Sequence, residues 1–197
     1  MTGVNNKALF YVLIFVLVFF LLIDFVSLFF VRRNFSFEYY TTDVIVGFSE
    51  IATITTFGGL RFKDVKKREE FMRSYGANSK KNFEEYFSKI SRDIGREVNV
   101  LNVESTATSR DTLLEITETV TLSGLVRKYP NGKFEAGLGK IRLSNIGNSQ
   151  LRVKIPREAE LELADPTPTR VNRNVLVWEG LDILYFPNVV YKKGEGQ

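Results

Sequence analysis

The residues that could carry chemistry in this chain are carboxylates, because the sequence contains neither histidine nor cysteine. Without those two residue types a chain forms no disulfide, no thiol nucleophile, no Cys/His zinc site and no Ser-His-Asp triad. Haem ligation through His or Cys is excluded for the same reason. We therefore expect no cofactor, no metal site and no catalytic residue, and any hydrolysis would have to rely on Asp and Glu alone.

Glu118 is the candidate functional acid. The segments 98–109 and 112–128 alternate as two strands, and a two-residue loop at Arg110-Asp111 would join them. That register places Glu118 on the apolar face of the pair, opposite Val103. A buried, neutral glutamic acid can act as a proton donor in catalysis. The alternative, which we favour, is a β-bulge near Glu118 that turns its side chain outward.

A hydrolase of envelope sugars that uses only carboxylates needs two acids about 5 to 10 Å apart in a cleft. Glu118 with Glu104 is the best pair that the sequence offers, and no pattern connects the two to a cleft.

A second group of acids lies in the segment 158–165. The alternation of Glu158, Glu160 and Glu162 with apolar residues predicts a strand, and the acidic row could bind a hard cation such as Ca²⁺. If this strand instead forms a hairpin with the preceding segment 151–155, Lys154 and Arg152 face the glutamates across the ladder. We favour this salt-bridged face, because the close Asp and Asn spacing of a calcium loop is absent.

Residues 8–31 form a nearly continuous apolar run, interrupted by Tyr11, Asp24 and Ser27. A helix of this length spans roughly 36 Å, enough to cross a hydrocarbon core of roughly 30 Å. The run is longer than the apolar core of a secretory signal and offers no good small-x-small cleavage site. We therefore predict an uncleaved signal anchor.

Asp24 lies roughly 10 Å inside the C-terminal end of this span. A charged group at the centre of a membrane helix costs about 3 kcal/mol, and the cost falls towards the interface. The simpler interpretation is therefore an acid that is hydrated or protonated. The alternative is a polar contact with another membrane helix, or with Asp24 of a second copy, and Ser27 would share that helix face.

These segments predict the domain organisation. We expect a short N-terminal tail at 1–7, a transmembrane signal anchor at 8–31 and an extracytoplasmic α+β domain at 34–191. A sub-boundary within that domain is an option near 144–150, and residues 192–197 would form a loose tail.

The net charge of +4 is small, and the chain has no long basic block. This pattern argues against nucleic acid as a partner. Basic residues flank both ends of the apolar run, so their count does not decide the orientation. We place the domain outside the cytoplasm, because a very short N-terminal tail usually stays inside. The expected partners are the lipid bilayer and either envelope proteins or further copies of this chain. Only two glutamines beside abundant Lys, Arg and Glu favour a thermophilic source.

The fold class that we predict is a single N-terminal transmembrane helix followed by an α+β domain, mainly of antiparallel sheets with one or two amphipathic helices. Asp64 is a suitable N-cap for a helix ending near Tyr75. A second apolar stripe predicts a helix from about Ser79 to Gly95, although one helix kinked at Gly76 would also fit. Strands from residue 35 should stop at Gly58-Gly59.

Later segments predict mostly strands and turns. "YPNG", residues 129–132, has the composition of a tight turn between two strands. Asn174 begins a strand that holds Trp178, the only tryptophan.

The C-terminal third resembles a segment of uncharacterised, membrane-anchored extracytoplasmic proteins of archaea and thermophilic bacteria. In both, a strand ends at a proline, a Pro-x-Pro corner follows, and a further strand carries Trp-x-Gly. The matching residues here are Pro156, Pro166, Pro168, Asn174, Trp178 and Gly180. The resemblance covers residues 80–191 loosely, and it implies an anchored module outside the cytoplasm with no assigned activity.

From these observations we predict a non-enzymatic, membrane-anchored cell-envelope protein whose β-rich domain makes protein–protein contacts. Exposed edge strands or the aromatic segment 35–40 would supply the contact surface. Two alternatives stay open, namely the carboxylate-only envelope hydrolase and an assembly factor of a secretion or division complex.

Overall fold

The computed structural model describes residues 35–75, 79–139, 141, 149–180 and 185–194. The chain divides into compact units of residues 1–36 and 37–197. The predicted anchor at 8–31, with Asp24 and Ser27, lies outside the described residues. Within the described ranges, no helix is both long enough and apolar enough to span a membrane.

The described residues form two helices and eleven strands. The helices are α1 (Val65–Tyr75) and α2 (Ser79–Ile94). The strands are β1 (Phe35–Val46), β2 (Ile51–Phe62), β3 (Asn99–Arg110), β4 (Leu113–Ser123), β5 (Val126–Lys128), β6 (Lys133–Ala136), β7 (Ser149–Lys154), β8 (Ala159–Asp165), β9 (Arg170–Asn172), β10 (Val175–Glu179) and β11 (Asn188–Lys193). The last strand therefore extends two residues into the segment that we expected to form a loose tail.

The strands form two sheets. The larger has the order β3-β4-β2-β1-β7-β10-β9 and the smaller has the order β5-β6-β11-β8. Strands β1 and β7 pair in parallel, whereas β4 pairs antiparallel with both β2 and β3. The predicted α+β domain, mainly of antiparallel sheets with one or two helices, is confirmed, and it has two helices.

Local sequence signals explain both helices. The Asp64 side chain accepts a hydrogen bond from the Lys67 backbone N–H at 2.8 Å, as expected of an N-cap. The apolar stripe of α2 is buried at Phe87 and Ile90. The first helix ends at Tyr75 and the second begins at Ser79, so the structure has two helices rather than one long helix.

The main hydrophobic core lies between one face of the larger sheet, helix α2 and the smaller sheet. Its members include Val44, Leu122, Phe134, Leu176 and Tyr191, each at most 5% exposed. The chain passes from the larger sheet to the smaller one at Gly124, which has a φ of 80°. A Cβ at this glycine would lie 2.1 Å from the Glu97 carbonyl oxygen, so the crossing requires glycine.

The pairing register of the β3–β4 hairpin differs from our prediction by two residues. Its loop is Asp111-Thr112, and Arg110 pairs with Leu113. Glu118 is therefore opposite Ser105 and not Val103. Since side chains alternate with a period of two, an even shift leaves the residues from Asn102 to Arg110 on their predicted faces. The bulge lies at Leu101 rather than near Glu118.

Strand β2 continues through Gly58-Gly59 to Phe62, so the predicted stop there was wrong. The ring of Tyr39 on the neighbouring strand lies directly over Gly59. A Cβ at that position would be 2.5 Å from the Tyr39 Cε1 atom. The glycine thus makes room for an aromatic ring within the strand and does not end it.

The predicted hairpin between segments 151–155 and 159–163 is also wrong. Strand β7 belongs to the larger sheet and β8 to the smaller one. Arg152 forms an ion pair with Asp43, while Glu160 pairs with Lys192 at 3.2 Å. The acidic row is salt-bridged as we favoured, but its partners come from other strands.

Candidate functional site

A polar row interrupts the inner face of the larger sheet, the face that carries the main core. It consists of Thr56, Glu118 and Ser105, which lie side by side on β2, β4 and β3. The next row on one side is apolar, with Ile54 and Val120 in the core region. Beyond the polar row lies a second apolar group, made of Leu60, Phe62, Leu114 and Ile116, each at most 9% exposed and none part of the main cluster.

We call residues 56–75 and 104–118 the arm, and the elements around the main hydrophobic core the body. The arm contains the ends of β2, β3 and β4 together with helix α1. The polar row therefore marks the base of the arm, where the two apolar groups are separated.

The side chain of Tyr75, the last residue of α1, closes over the polar row. Its hydroxyl donates to the Glu118 carboxylate at 2.6 Å and lies 3.2 Å from the Ser105 hydroxyl. Glu118 is half-buried, and it reaches this position without a bulge because alternation alone directs it to the inner face. The carboxylate thus has a specific hydrogen-bond donor on a helix that packs over its strand.

Burial raises the pKa of Tyr75 above its ordinary value, and the hydrogen bond to Glu118 raises it further. Both effects oppose the phenolate, which would be an anion beside a carboxylate in a half-buried position. At neutral pH the tyrosine is therefore the proton donor in this contact.

Helix α1 is also fixed at the far end of the arm. The Arg68 guanidinium donates to the Asp111 carbonyl oxygen in the hairpin loop. Phe71 packs against Phe62 with ring centroids 5.4 Å apart and against Tyr75 at 5.8 Å. Arg68, Phe71 and Tyr75 therefore hold α1 along the arm, from the hairpin loop through β2 to the polar row.

The structure does not bring Glu118 and Glu104 together as an acid pair. Glu104 pairs with Thr119 and so points to the outer face of the sheet, away from Glu118. The best carboxylate pair of the hydrolase hypothesis is thus separated by the sheet itself. In the described part of the chain, no group of three or more acidic side chains could hold a metal ion.

The sequence did not predict a second tyrosine–carboxylate contact on the outer face. The hydroxyl of Tyr39 on β1 crosses above Gly59 on β2 and donates to Glu115 on β4 at 2.6 Å. This hydrogen bond is the main cause of a rise in the Tyr39 pKa to about 12. The only sequence signal for this contact was a glycine on one strand and an aromatic residue on the neighbouring strand. Recognising it requires the register between β1 and β2, which the sequence left open.

The site residues predicted from sequence therefore have different outcomes. Glu118 lies on the inner face that the alternation indicated, so the bulge that we favoured to turn it outward was wrong. A functional role for Glu118 stays a prediction. The Asp24 and Ser27 contact concerns residues outside the described ranges and stays a prediction as well.

The ends of the two sheets leave four edge strands, β3, β9, β5 and β8. Strand β3 is the longest, at 12 residues, and every residue from Glu104 to Arg110 is exposed. An exposed edge presents backbone N–H and C=O groups that can pair with another strand. Among the four edge strands of the described structure, β3 therefore offers the longest backbone for pairing with another strand.

Comparison with solved structures finds distant likenesses, and two of them illustrate their range. The folded domain of the Mycobacterium tuberculosis protein LppM, solved by NMR, matches 82% of this chain and 92% of its own, at 10% identity and a TM-score of 0.42. An M1 zinc metallopeptidase variant from Deinococcus radiodurans matches 82% of this chain and 43% of its own, at 9% identity and a TM-score of 0.32.

No curated protein matches the sequence. A family model does match, and it spans the domain from its first strand to its last. Residues 35–192 match the family described as Domain of unknown function (DUF4897), and the chain belongs to that family.

Proposed function

We propose that this chain is a non-enzymatic, membrane-anchored protein of the cell envelope, whose β-rich domain lies outside the cytoplasm and makes protein–protein contacts. The apolar run at 8–31 supplies the anchor, and a single long apolar segment before a folded domain is typical of such proteins. The domain supplies the contact surface.

One observation carries the contact function, namely the open edge of β3. Edge strands in soluble domains are usually short, charged, bulged or covered. A long exposed edge is typical of proteins that add a partner's strand to their own sheet. The aromatic residues Phe37 and Tyr39, on β1 of the same sheet, are also partly exposed, at 39% and 37%.

The engagement of the carboxylates favours a structural role over catalysis. Glu118 accepts a hydrogen bond from Tyr75, and Asp43 accepts two from Arg152, one of them at 2.7 Å. Glu162 contacts Lys133 at 2.5 Å. The oxygens of these carboxylates are engaged by neighbouring side chains, whereas a carboxylate catalyst needs access to a substrate.

The topology can be tested by thiol labelling, because the chain has no cysteine to give a background. Arg157→Cys places a thiol in the exposed turn between β7 and β8. In intact cells that produce the full chain, a membrane-impermeant maleimide should label this variant. Leu176→Cys is the matched control, since Leu176 is 0% exposed and should label only after denaturation.

Membrane attachment is tested on the same cells by alkaline carbonate extraction, after which an anchored chain stays with the lipid pellet. Labelling of Arg157→Cys in intact cells together with a carbonate-resistant pellet supports the proposal. Labelling that requires lysis would contradict the extracytoplasmic location, and release by carbonate would contradict the anchor.

A further inference from the structure

The four edge strands differ in how they are protected against pairing. Strands β5 and β9 are three residues long, too short to form a stable ladder with a partner. Strand β8 is longer but carries Glu160, Glu162 and Asp165, and Lys192 pairs with its glutamates. Short length and charge are two of the devices that keep natural edges unpaired.

Strand β3 lacks such protection between Glu104 and Arg110, the two charged residues of its arm portion. From Glu104 to Arg110 it has no proline, no lysine and no bulge, because its bulge lies nearer the other end at Leu101. The residues between the two charges are small or β-branched: Ser105, Thr106, Ala107, Thr108 and Ser109. This composition favours close approach of another strand and gives no steric obstacle to it.

The sequence of this edge is complementary to itself in an antiparallel arrangement. In an antiparallel pair, two residues directly opposite each other point to the same side of the sheet. The two-fold axis of a symmetric pair of β3 strands must therefore pass through a residue position and not between two residues. With Ala107 at the centre, Glu104 of each copy faces Arg110 of the other. Centring on Glu104 or on Arg110 would oppose like charges, and centring on any residue between them other than Ala107 leaves Glu104 and Arg110 unmatched.

The remaining pairs in this register are also favourable. Thr106 faces Thr108 on the outer side, and Ser105 faces Ser109 on the inner side, where Ala107 faces its own copy. Cross-strand Thr–Thr pairs and opposite charges are among the stabilising combinations in antiparallel sheets. Among the described residues, Arg110 has no ion-pair partner, and the Glu104 carboxylate accepts a hydrogen bond from the neighbouring Asn102 amide, at 3.0 Å, and forms no ion pair.

We propose that two copies of this chain associate through β3, antiparallel and centred on Ala107, so that their larger sheets join into one. This inference rests on the proposed contact function and names a second copy as the partner. The arrangement is an isologous two-fold dimer, in which each Glu104 meets the Arg110 of the other copy. Anchoring both chains in one membrane would raise their effective concentration and favour an otherwise weak pairing.

Cysteine crosslinking tests the register directly in membranes of cells that produce the full chain. Paired residues of antiparallel strands have Cα atoms about 4.5 to 5.5 Å apart, within disulfide range. Ala107→Cys should therefore form a disulfide-linked dimer on mild oxidation. Leu101→Cys is the control, because Leu101 is 49% exposed on the same strand. Its two copies would be roughly 40 Å apart in this register and should not crosslink.

A charge exchange tests the pairing in the full chain purified in detergent, by sedimentation. Glu104→Arg should raise the dimer dissociation constant about tenfold, because it places an arginine opposite Arg110 at each of the two symmetric positions. Arg110→Glu should weaken the dimer similarly. The double exchange, Glu104→Arg with Arg110→Glu, should restore it, and all these positions are exposed, so the fold should be unaffected.

Two results would overturn the inference: crosslinking of Ala107→Cys no stronger than that of Leu101→Cys, or a double exchange as weak as the single ones. Neither result would affect the topology test, which depends on Arg157. A domain found outside the cell but monomeric would thus leave the contact function in place and remove the second copy as its partner.

Discussion

The body and the arm of this domain are stabilised in different ways. In the body, two sheets and α2 enclose an apolar core, and Phe48, Phe134 and Tyr191 pack with ring centroids 5.3 to 6.1 Å apart. In the arm, a single helix covers the inner face of three strands, and hydrogen bonds from Arg68 and Tyr75 fix its position. The open edge of β3 lies in the arm, so the contact surface is on the part with the smaller core.

Two arginines illustrate the same contrast. Arg96 in the body donates to the Gly137 carbonyl oxygen, and Arg68 in the arm donates to that of Asp111. Both have a buried Nε atom without a hydrogen-bond partner among the described residues. Burial lowers the pKa of Arg96, and the nearby Arg127 lowers it further. Each part of the domain thus uses a cation to bind loop carbonyls, but only the body surrounds it with a second sheet.

The largest expected effect compares one leucine from each part. Leu176 in the body and Leu114 in the arm are both 0% exposed. Each substitution to alanine should cost about 2 to 5 kcal/mol of unfolding free energy. We expect Leu176→Ala to lie near the upper limit, because two layers surround its cavity, and Leu114→Ala near the lower limit, because α1 can move to fill the space.

Urea unfolding of both variants measures this difference. A Leu114→Ala variant that loses as much stability as Leu176→Ala would show that arm and body are equally well packed, and it would remove the basis of the comparison.

The next effect concerns the polar row. Tyr75→Phe removes the donor to Glu118 and should cost about 1 to 2 kcal/mol, since a half-buried carboxylate loses its partner. Tyr191→Phe is the matched change in the body, where the hydroxyl donates to the Gly47 carbonyl oxygen at 2.5 Å. We expect faster amide hydrogen exchange in the arm for Tyr75→Phe and no such local change for Tyr191→Phe.

Exchange that increases across the whole domain in Tyr75→Phe would mean that the arm does not open separately. In that case the polar row would not be a boundary between two parts of differing stability.

A smaller effect is expected at the start of α1. Asp64→Ala removes the N-cap contact with the Lys67 backbone and should cost about 1 kcal/mol. Because α1 belongs to the arm, the loss should appear as faster exchange in α1 while α2 is unchanged. Asp64→Asn retains an oxygen acceptor and should behave nearly as the parent chain; a loss equal to that of alanine would argue against capping as the cause.

The smallest effect concerns the contact between Tyr39 and Glu115, which connects β1 to β4 across the outer face. Glu115→Gln should lower the Tyr39 pKa from about 12 towards its ordinary value of 10.0. The folded pKa lies above the unfolded one, so the contact's stabilisation is complete below about pH 10 and is lost as the pH rises through the folded value.

Ultraviolet absorbance during an alkaline titration measures this ionisation, and Tyr39→Phe identifies its contribution to the spectrum. An unchanged tyrosine titration in Glu115→Gln would show that the carboxylate does not cause the shift.

The elements that the sequence predicted correctly depend on local signals. The cap at Asp64, the apolar stripe of α2 and the turn at "YPNG" each lie within a few residues of what they determine, and in that turn the Gly132 backbone N–H bonds to the Tyr129 carbonyl oxygen at 3.1 Å. Alternation along one strand also decides the inner face of Glu118, although we favoured a bulge that would turn its side chain outward.

The errors come from interactions between distant segments. Two adjacent alternating segments, β7 and β8, look like a hairpin, but packing against other strands assigns them to different sheets. Gly59 looks like a strand end until Tyr39 from the next strand is placed over it. The partner of Glu118 was missed because Tyr75 lies 43 residues away along the chain, and only the packed helix brings it near.

The parallel pair of β1 and β7 has a consequence for the order of folding. It joins residues 109 positions apart along the chain, as in the ion pair between Asp43 and Arg152. The β3–β4 hairpin closes over a two-residue loop and requires no distant segment. Contacts between distant residues form slowly because a long loop must first close. During synthesis the hairpin of the arm can therefore form early, whereas the larger sheet is completed only after β7 has emerged, and until then both β1 and β3 are exposed edges at risk of pairing with the wrong strand.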